Sequence, residues 1–231
     1  MGFGDSYHYE CVKVEGTSNK VMDIYELMSK DGKINGYTPI IIIEDEHGLM
    51  EENIKFAEED YGSFNEFINN CLSSYSDVDV KKFFEERKQY YEEEEKMEQQ
   101  DADNLYEPSN TIYLGENIEK IYIAKIPTEK PYEVFAYVPV GGFDECPDNT
   151  IHIAIAKYWY EKYGAVPVCI GNDYIQYKVK QPIKDSEKLE ELSMEQYLYC
   201  GDIIWQGLES LNNLKTSLGN STIWYFWWEW N

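Results

Sequence analysis

The feature that most constrains the fold is an aromatic block at the end of the chain. Residues 222–230 hold four of the six tryptophans, together with a tyrosine and a phenylalanine. A membrane-spanning helix needs about 20 apolar residues, so this short block must be buried in protein or against a partner. As a strand, it would place Trp224 and Trp228 on one face and Tyr225 and Trp227 on the other. We predict a central or near-central strand, packed by helices.

The charge of the chain restricts its partners. Among 231 residues, 44 are acidic and 20 are basic, which gives a formal net charge of −24, and 43% are hydrophobic. The hydrophobic content supports one large domain or two small ones. The negative field would repel phosphate backbones, so we predict no binding to nucleic acid. A surface of this kind serves either solubility or the attraction of a basic protein partner.

The cysteines and histidines indicate the compartment and exclude common metal sites. The five cysteines, at positions 11, 71, 146, 169 and 200, form no CxxC pair. An odd and dispersed set is typical of reduced thiols, which favours a cytoplasmic location. No secretory signal and no apolar run long enough for a membrane is visible. The three histidines lack metal-binding spacing, so we predict no metal and no cofactor.

Two regions are expected along the chain. Residues 1–110 form an N-terminal α/β and helical region, with a helix that Gly32 can end and a strand at 37–43. Ser63 and Glu66 have the spacing of a capping box, and a longer helix begins at Ser76 or Asp77. That helix enters the acidic segment 85–107, which is either a solvated helix end and mobile linker or a docking element for a basic partner.

The second region, residues 111–231, is expected to be a C-terminal α/β domain. The predicted strands are 118–126, 132–140, 166–170 and 174–179, and the predicted helices are 149–163, 186–199 and 208–218, followed by the aromatic strand. The fold class is therefore α/β or α+β, with a mixed sheet flanked by helices.

The loop at residues 141–148 has the features of a binding loop. Its glycines permit close approach of a ligand, and Asp148 can cap the helix that follows. Cys146 and His152 are weak candidates for a nucleophile and its base, because a thiol at a helix N-terminus is readily activated. No third residue that would orient the histidine is identifiable, so a packed pair is the simpler interpretation.

A second polar segment, residues 195–206, carries acids and amides among apolar residues. These groups form either a hydrogen-bonded network that fixes a helix to the sheet or the wall of a polar pocket. We expect the two segments to meet at the carboxyl edge of the sheet. The predicted ligand or partner surface is Gly141, Gly142, Asp144, Cys146, Asp148, Glu195, Tyr199, Asp202 and Gln206.

Four motifs in order carry a family resemblance. They lie at residues 141–148, 158–165, 195–207 and 224–228, with departures at Phe143, Asp144, Gly201 and Glu229. Together they resemble the bacterial domain-of-unknown-function family 4253 over about residues 119–229. The resemblance implies a bacterial, cytoplasmic α/β protein, and it implies no activity.

Two functions are therefore considered. The first is a non-enzymatic interaction module, immunity-like or regulatory, which uses its acids and aromatic residues to bind a basic protein. The alternative is a small-molecule-binding protein or a thiol-dependent enzyme with a pocket between residues 141–148 and 195–206. A closed polar cavity there favours the alternative, and a flat acidic surface favours the first.

Overall fold

The computed structural model describes residues 9–45, 49–93, 108–115, 118–141, 145–171 and 173–229. The strands of this part of the chain are β1 (Cys11–Val14), β2 (Thr38–Asp45), β3 (Ile118–Ile126), β4 (Val166–Ile170), β5 (Tyr174–Lys178) and β6 (Ile223–Trp227). Its α-helices are α1 (Ser18–Asn35), α2 (Leu49–Tyr61), α3 (Phe64–Ser74), α4 (Val80–Glu93), α5 (Asn149–Tyr163), α6 (Ser186–Tyr199) and α7 (Leu211–Leu218). Shorter 3-10 segments cover Tyr75–Asp77 and Pro131–Ala136, and a π-helical turn covers Ile203–Leu208.

The strands form one mixed sheet in the order β1-β3-β2-β4-β5-β6. Strands β2 and β4 run parallel, and the other neighbours run antiparallel. The predicted α/β fold with a mixed sheet is confirmed. Strands from both regions of the sequence take part, because β2 lies between β3 and β4. The boundary predicted near residue 110 therefore does not divide the sheet.

Strand β2 shows how the sheet is buried on both faces. Its isoleucines at 40 and 42 belong to one core cluster, and those at 41 and 43 belong to another. Alternate side chains of a strand point to opposite faces, so a continuous apolar run requires cover on both sides. Helices α2 to α7 contribute to the first cluster, and α1 contributes to the second.

The aromatic strand β6 lies at the edge of the sheet. It pairs with β5, and no other described strand pairs with it, so the predicted central position is wrong. The prediction that Trp224 and Trp228 share a buried face is confirmed, because each is 1% exposed and both join the first core cluster. The ring of Phe226 stacks on Trp159 of α5, with centroids 5.5 Å apart. Helices therefore bury this face of β6, although the strand lies at the edge of the sheet.

Residues 132–140 do not form the predicted strand. Pro131 begins a 3-10 segment, and the chain beyond it stays irregular. The reason is the buried side chain of Asn149, whose Nδ2 donates to the carbonyl oxygens of Phe135 at 2.7 Å and Val138 at 3.3 Å. These carbonyls are satisfied by a side chain instead of a strand neighbour.

Three helix boundaries differ from the predictions. Helix α1 continues past Gly32 and ends at Gly36, whose φ of +75° suits glycine. Gly32 is needed inside the helix because a Cβ there would lie 2.3 Å from the carbonyl oxygen of Tyr37. Helix α4 begins at Val80, because Asp79 Oδ1 accepts the amide hydrogens of residues 81 and 82. Helix α7 begins at Leu211, after the π-helical turn.

The remaining helix predictions agree with the structure. The bounds of α5 and α6 are as predicted. Ser63 caps α3, where its Oγ accepts the amide hydrogen of Glu66 at 3.2 Å. Within the acidic segment 85–107, the described part is the end of α4, where Glu92 and Glu93 are exposed. Residues 94–107 lie outside the described residues.

Candidate functional site

The loop before α5 is built around Gly141 and Asp148. Asp148 caps the helix as predicted, and its Oδ1 accepts the amide hydrogen of Ile151 at 3.0 Å. Gly141 has a φ of +81°, and a Cβ at this position would lie 2.1 Å from the carbonyl oxygen of Pro147 and 2.6 Å from Nε2 of His152. Only glycine fits there. Gly142 and Asp144 lie outside the described residues.

Cys146, His152 and Tyr199 form a buried chain of polar groups. The Cys146 Sγ is 3.7 Å from Nε2 of His152, and Nδ1 of the same ring is 2.6 Å from the Tyr199 hydroxyl. Tyr199 is thus the third, orienting residue that sequence reasoning did not find. It lies 47 positions away on α6, so only the packing of α6 on α5 brings it to the ring.

Burial decides the protonation of this chain. It lowers the pKa of His152 to about 3 and raises the pKa of Tyr199 well above its usual value. At neutral pH the imidazole and the phenol are therefore both uncharged. Cys146 is 4% exposed and lines neither of the two clefts described below. The three side chains are suited to bonding one another within the core.

Glu195 occupies a separate network between α5 and α6. Its carboxylate accepts hydrogen bonds from Tyr158 at 2.6 Å, from Trp159 Nε1 at 3.0 Å and from Lys162 at 2.8 Å. The residue is 6% exposed. Each carboxylate oxygen has a donor, so the network is satisfied, but these donors lie on α5, and the network joins two helices instead of the predicted helix and sheet.

Asp202 and Gln206 form a third group, at the end of β6. The Gln206 side-chain amide donates to Asp202 and to the carboxylate of Glu229, and the Glu229 amide donates to Asp202 Oδ2 at 3.1 Å. Partial burial raises the pKa of Asp202, and the hydrogen bond from Glu229 opposes this effect. The group fastens the π-helical turn to the residues that follow β6.

The described members of the predicted surface therefore lie in three arrangements. Gly141, Cys146 and Tyr199 surround His152, with Asp148 as the cap of the same helix. Glu195 joins α5 to α6, and Asp202 with Gln206 holds the end of β6. The reasoning that placed them in one concavity used a strand ending at residue 140, and that strand does not form.

Two clefts lie beside these groups, and Glu195 lines the first of them. The first, here called the acidic groove, is an open cleft of about 840 Å³ between α4 and α6. The second, here called the β6-edge cavity, has a volume of about 480 Å³ and lies between β6, α6, the π-helical turn and α7. It contains Gln196 and Ile203 from the predicted segment, but no residue of the 141–148 loop.

Sequence reasoning missed the polar residue Gln176 on the wall of this cavity. Gln176 is fully buried in β5, and its side chain exchanges two hydrogen bonds of 2.7 Å with the backbone of Tyr113. A glutamine between the apolar residues Ile175 and Tyr177 was the available signal, because a buried amide needs partners.

Metal and membrane sites were also sought in the described residues. These residues contain no cluster of three or more potential metal-ligating side chains of the His, Cys, Asp or Glu types. Within the same ranges, no helix combines the length and the apolar character that a membrane span requires.

Comparison with known proteins gives one match. No curated protein and no solved structure is significantly similar to this chain. The matched region begins within β3, includes β4 to β6 and α5 to α7, and leaves out β1, β2 and α1 to α4. Residues 122–229 match the family described as Domain of unknown function (DUF4253), the family that the sequence motifs resemble.

Proposed function

We propose that this protein is a non-enzymatic interaction module that binds a basic segment of another protein in the bacterial cytoplasm. The observation that carries the proposal is the acidic groove. Five glutamates and one lysine line it, so the cleft concentrates the negative charge of the chain. Clefts lined by one sign of charge attract and orient partners of the opposite sign.

The groove also offers an apolar contact surface. Phe84 on α4 and Met194 and Leu198 on α6 line it, between the acidic residues. An amphipathic helix docks by placing an apolar stripe in such a groove, and its flanking lysines or arginines would meet the rim. This combination favours a basic amphipathic helix over a simple polycation.

Part of the rim charge is available to a partner. Lys162 already binds Glu191 and Glu195, at 2.6 and 2.8 Å, and Lys215 binds Glu190. Glu85 and Glu187 are exposed and, within the described ranges, belong to no ion pair. Both acids line the groove, Glu85 on α4 and Glu187 on α6, and we assign them to partner recognition.

The bacterial and cytoplasmic parts of the proposal have separate support. The family resemblance suggests the first. All five cysteines are free thiols, which suits a reducing compartment. An immunity-like or regulatory role would follow if the partner were a basic toxin or enzyme.

The geometry supports thiol-dependent catalysis less well. Cys146, His152 and Tyr199 have the order of a nucleophile, a base and an orienting group. However, a histidine with a pKa of about 3 is a weak base, and the thiol lines neither cleft. Incubation with an activated thioester, with Cys146→Ser as control, would reveal catalysis as turnover that the substitution abolishes.

A peptide-binding experiment tests the leading proposal. The probe is a fluorescent amphipathic helix with leucines on one face and lysines on the other, and the readout is anisotropy. The Glu85→Lys/Glu187→Lys variant should bind about tenfold more weakly, since about 1.4 kcal/mol separates each tenfold step and each exposed ion pair contributes up to about 1 kcal/mol.

The matched control is Glu58→Lys/Glu59→Lys on α2. These acids are exposed and lie outside the groove, so this variant carries the same change in net charge. It should bind the peptide nearly as well as the wild type. Equal weakening in both variants would mean that binding follows net charge alone, and the groove would lose its assigned role.

A further inference from the structure

The β6-edge cavity lies along the edge strand, and four residues of β6 line it. Val179 donates its amide hydrogen to Thr222, and Trp228 donates to Asp173. In an antiparallel pair, hydrogen-bonded residues alternate with residues whose N–H and C=O groups point away from the partner strand. Residues 222, 224, 226 and 228 therefore bond to the β5 side, and the backbone of Ile223, Tyr225 and Trp227 points outward.

The chain itself occupies both ends of this outward edge. The Ile223 amide donates to the carbonyl oxygen of Ser109 at 3.0 Å, and the Cys200 thiol donates to the carbonyl oxygen of Trp227 at 2.9 Å. Between them, the C=O of Ile223, the N–H and C=O of Tyr225 and the N–H of Trp227 have no partner among the described residues. The chain closes the edge at both ends, so a β-strand added here could not extend along it, and the short opening centred on Tyr225 is suited to a small molecule.

Two buried side chains at the cavity carry unused hydrogen-bond donors. Gln196 and Trp224 both line it, and each is 1% exposed. Within the described residues, Nε2 of Gln196 and Nε1 of Trp224 have no hydrogen-bond partner. A buried donor without a partner is destabilising, so such groups call for a ligand or another explanation. The Trp228 indole is also unpartnered, but it lines neither cleft and carries no site.

The lining indicates the chemical class of the ligand. None of the 14 lining residues is Asp, Glu, Lys, Arg or His, although 28% of the chain is charged. The walls combine aliphatic side chains and the rings of Tyr113, Trp224, Tyr225 and Trp227 with four uncharged polar residues, Ser109, Gln176, Gln196 and Ser217. Aromatic walls favour flat molecules, and an uncharged lining offers no counter-ion to an ionic one. The volume of about 480 Å³ is within the usual range for small-ligand pockets.

We propose that the β6-edge cavity binds an uncharged, planar heterocycle with adjacent N–H and C=O groups, the pattern of a nucleobase or lactam. The heterocycle donates to the Tyr225 carbonyl oxygen and accepts the Tyr225 amide hydrogen. A second acceptor on the ring receives the Gln196 side-chain amide or the Trp224 indole N–H. This site is independent of the acidic groove and of the protein partner proposed for it.

The probe for this proposal is uracil, compared with N,N-dimethyluracil, which has the same carbonyl groups and no N–H donors. Titration into ¹⁵N-labelled protein, followed by NMR, should shift the Trp224 indole and Tyr225 amide signals to saturation. The dimethylated compound should bind at least about tenfold more weakly, because it leaves the Tyr225 carbonyl without a donor. Equal binding of the two compounds, or the absence of a saturable shift, would overturn the proposal.

Variants locate the site within the protein. Gln196→Leu should weaken uracil binding about tenfold and leave the fold intact, since it replaces an unpartnered amide by an apolar group of similar size. Gln181→Leu is the matched control, because Gln181 is exposed and lies outside the cavity, and it should bind uracil normally. If both variants bind alike, Gln196 contacts no ligand. Shifts confined to residues of the acidic groove would also place uracil elsewhere and refute the assignment.

Discussion

The acidic groove and the β6-edge cavity differ in almost every property that governs binding. The groove is open, rimmed by glutamates and formed by two helices, α4 and α6. The cavity is formed at the edge of the sheet, and the described residues of its lining include no acidic or basic side chain. The net charge of −24 is therefore reflected in the acidic groove, and it gives no indication of the β6-edge cavity. Net charge is a property of the surface, whereas the chemistry of a cavity is set by which side chains the fold turns inward.

The largest effect is expected from removing the aromatic strand β6, which lines the cavity and packs Trp224 and Phe226 into the core. Deletion of residues 224–231 should abolish soluble, cooperative folding and with it both clefts. Truncation of even one large buried aromatic residue costs about 3–5 kcal/mol, against a total stability of about 5–15 kcal/mol. Circular dichroism during thermal unfolding checks this, and a cooperative melt of the shortened protein would show that the edge strand is dispensable.

The second prediction compares a buried, hydrogen-bonded acid of the groove with an exposed one. Glu195→Ala should lower the free energy of unfolding by about 3 kcal/mol, because it leaves buried donors and Lys162 without their acceptor. Glu187→Ala, at an exposed position of the same helix, should change it by less than about 1 kcal/mol. Urea denaturation measures both. Equal effects of the two substitutions would mean that buried Glu195 and exposed Glu187 do not differ in their contribution to stability.

The buried His152 should give the wild-type protein a specific pH dependence. Its pKa is about 3 in the folded protein and 6.5 ordinarily, so the unfolded chain binds the proton first as pH falls. The contribution of uncharged His152 to stability is therefore fully present above about pH 6.5. As pH falls from 6.5 toward 3, the free energy of unfolding decreases by about 1.4 kcal/mol per pH unit. Between about pH 6.5 and pH 5, wild type should therefore lose about 2 kcal/mol more than His152→Gln.

Denaturant titrations of both proteins at the two pH values give the difference. The carboxylates titrate in both proteins, so their contribution cancels. Parallel losses in wild type and variant would mean that His152 is already protonated, or accessible to solvent, in the folded state. Either result would make its chain with Cys146 and Tyr199 a more reactive site than the burial indicates.

Two glutamines at the β6-edge cavity should respond to the same substitution in opposite directions. Gln176→Leu should destabilise the protein by about 1–3 kcal/mol, because it leaves the Tyr113 backbone without partners. Gln196→Leu should be neutral or stabilising by up to about 1 kcal/mol, since its Nε2 has no partner to lose. The two melting temperatures compare them directly. A destabilised Gln196→Leu protein would show that its amide already has a structural role.

The smallest effect is expected at the exposed end of α4. Neutralising Glu92 and Glu93 to glutamine should change the free energy of unfolding by less than about 0.5 kcal/mol, because these residues are exposed and their contacts with Lys88 and Gln89 are local. The melting temperature is the measurement. A fall of more than about 5 °C would show that these acids have tertiary partners.

The local parts of the fold could be predicted because their causes are local. Asp148 and Gly164 bound α5 through a side-chain cap and a left-handed residue, and both are visible in the sequence. The alternation in residues 222–228 predicted which aromatic residues share a face. Residues 132–140 could not be predicted, because Asn149, a residue of the next helix, satisfies their carbonyl groups.

The candidate sites depended more strongly on contacts between distant segments. Cys146 and His152 were found from the sequence, but Tyr199 reached them only through helix packing. Glu195 was identified as a buried polar group, whereas its donors on α5 lie more than thirty residues away. Phe84 and Glu85 line the groove because α4 packs beside α6. No residue pattern within either helix predicts this packing.

The sequence by itself determined the α/β class, most element boundaries, the strongly acidic surface and the family resemblance, because hydrophobic period, capping residues and charge act over a few neighbouring positions. Only the tertiary structure decided that β6 is an edge strand, that its open backbone lies between Ile223 and Trp227, and that the described lining of the cavity beside it carries no charged side chain. The order of strands in a sheet depends on loop paths and on the summed packing of distant side chains. These are nonlocal free energies, and no single segment of the chain contains them.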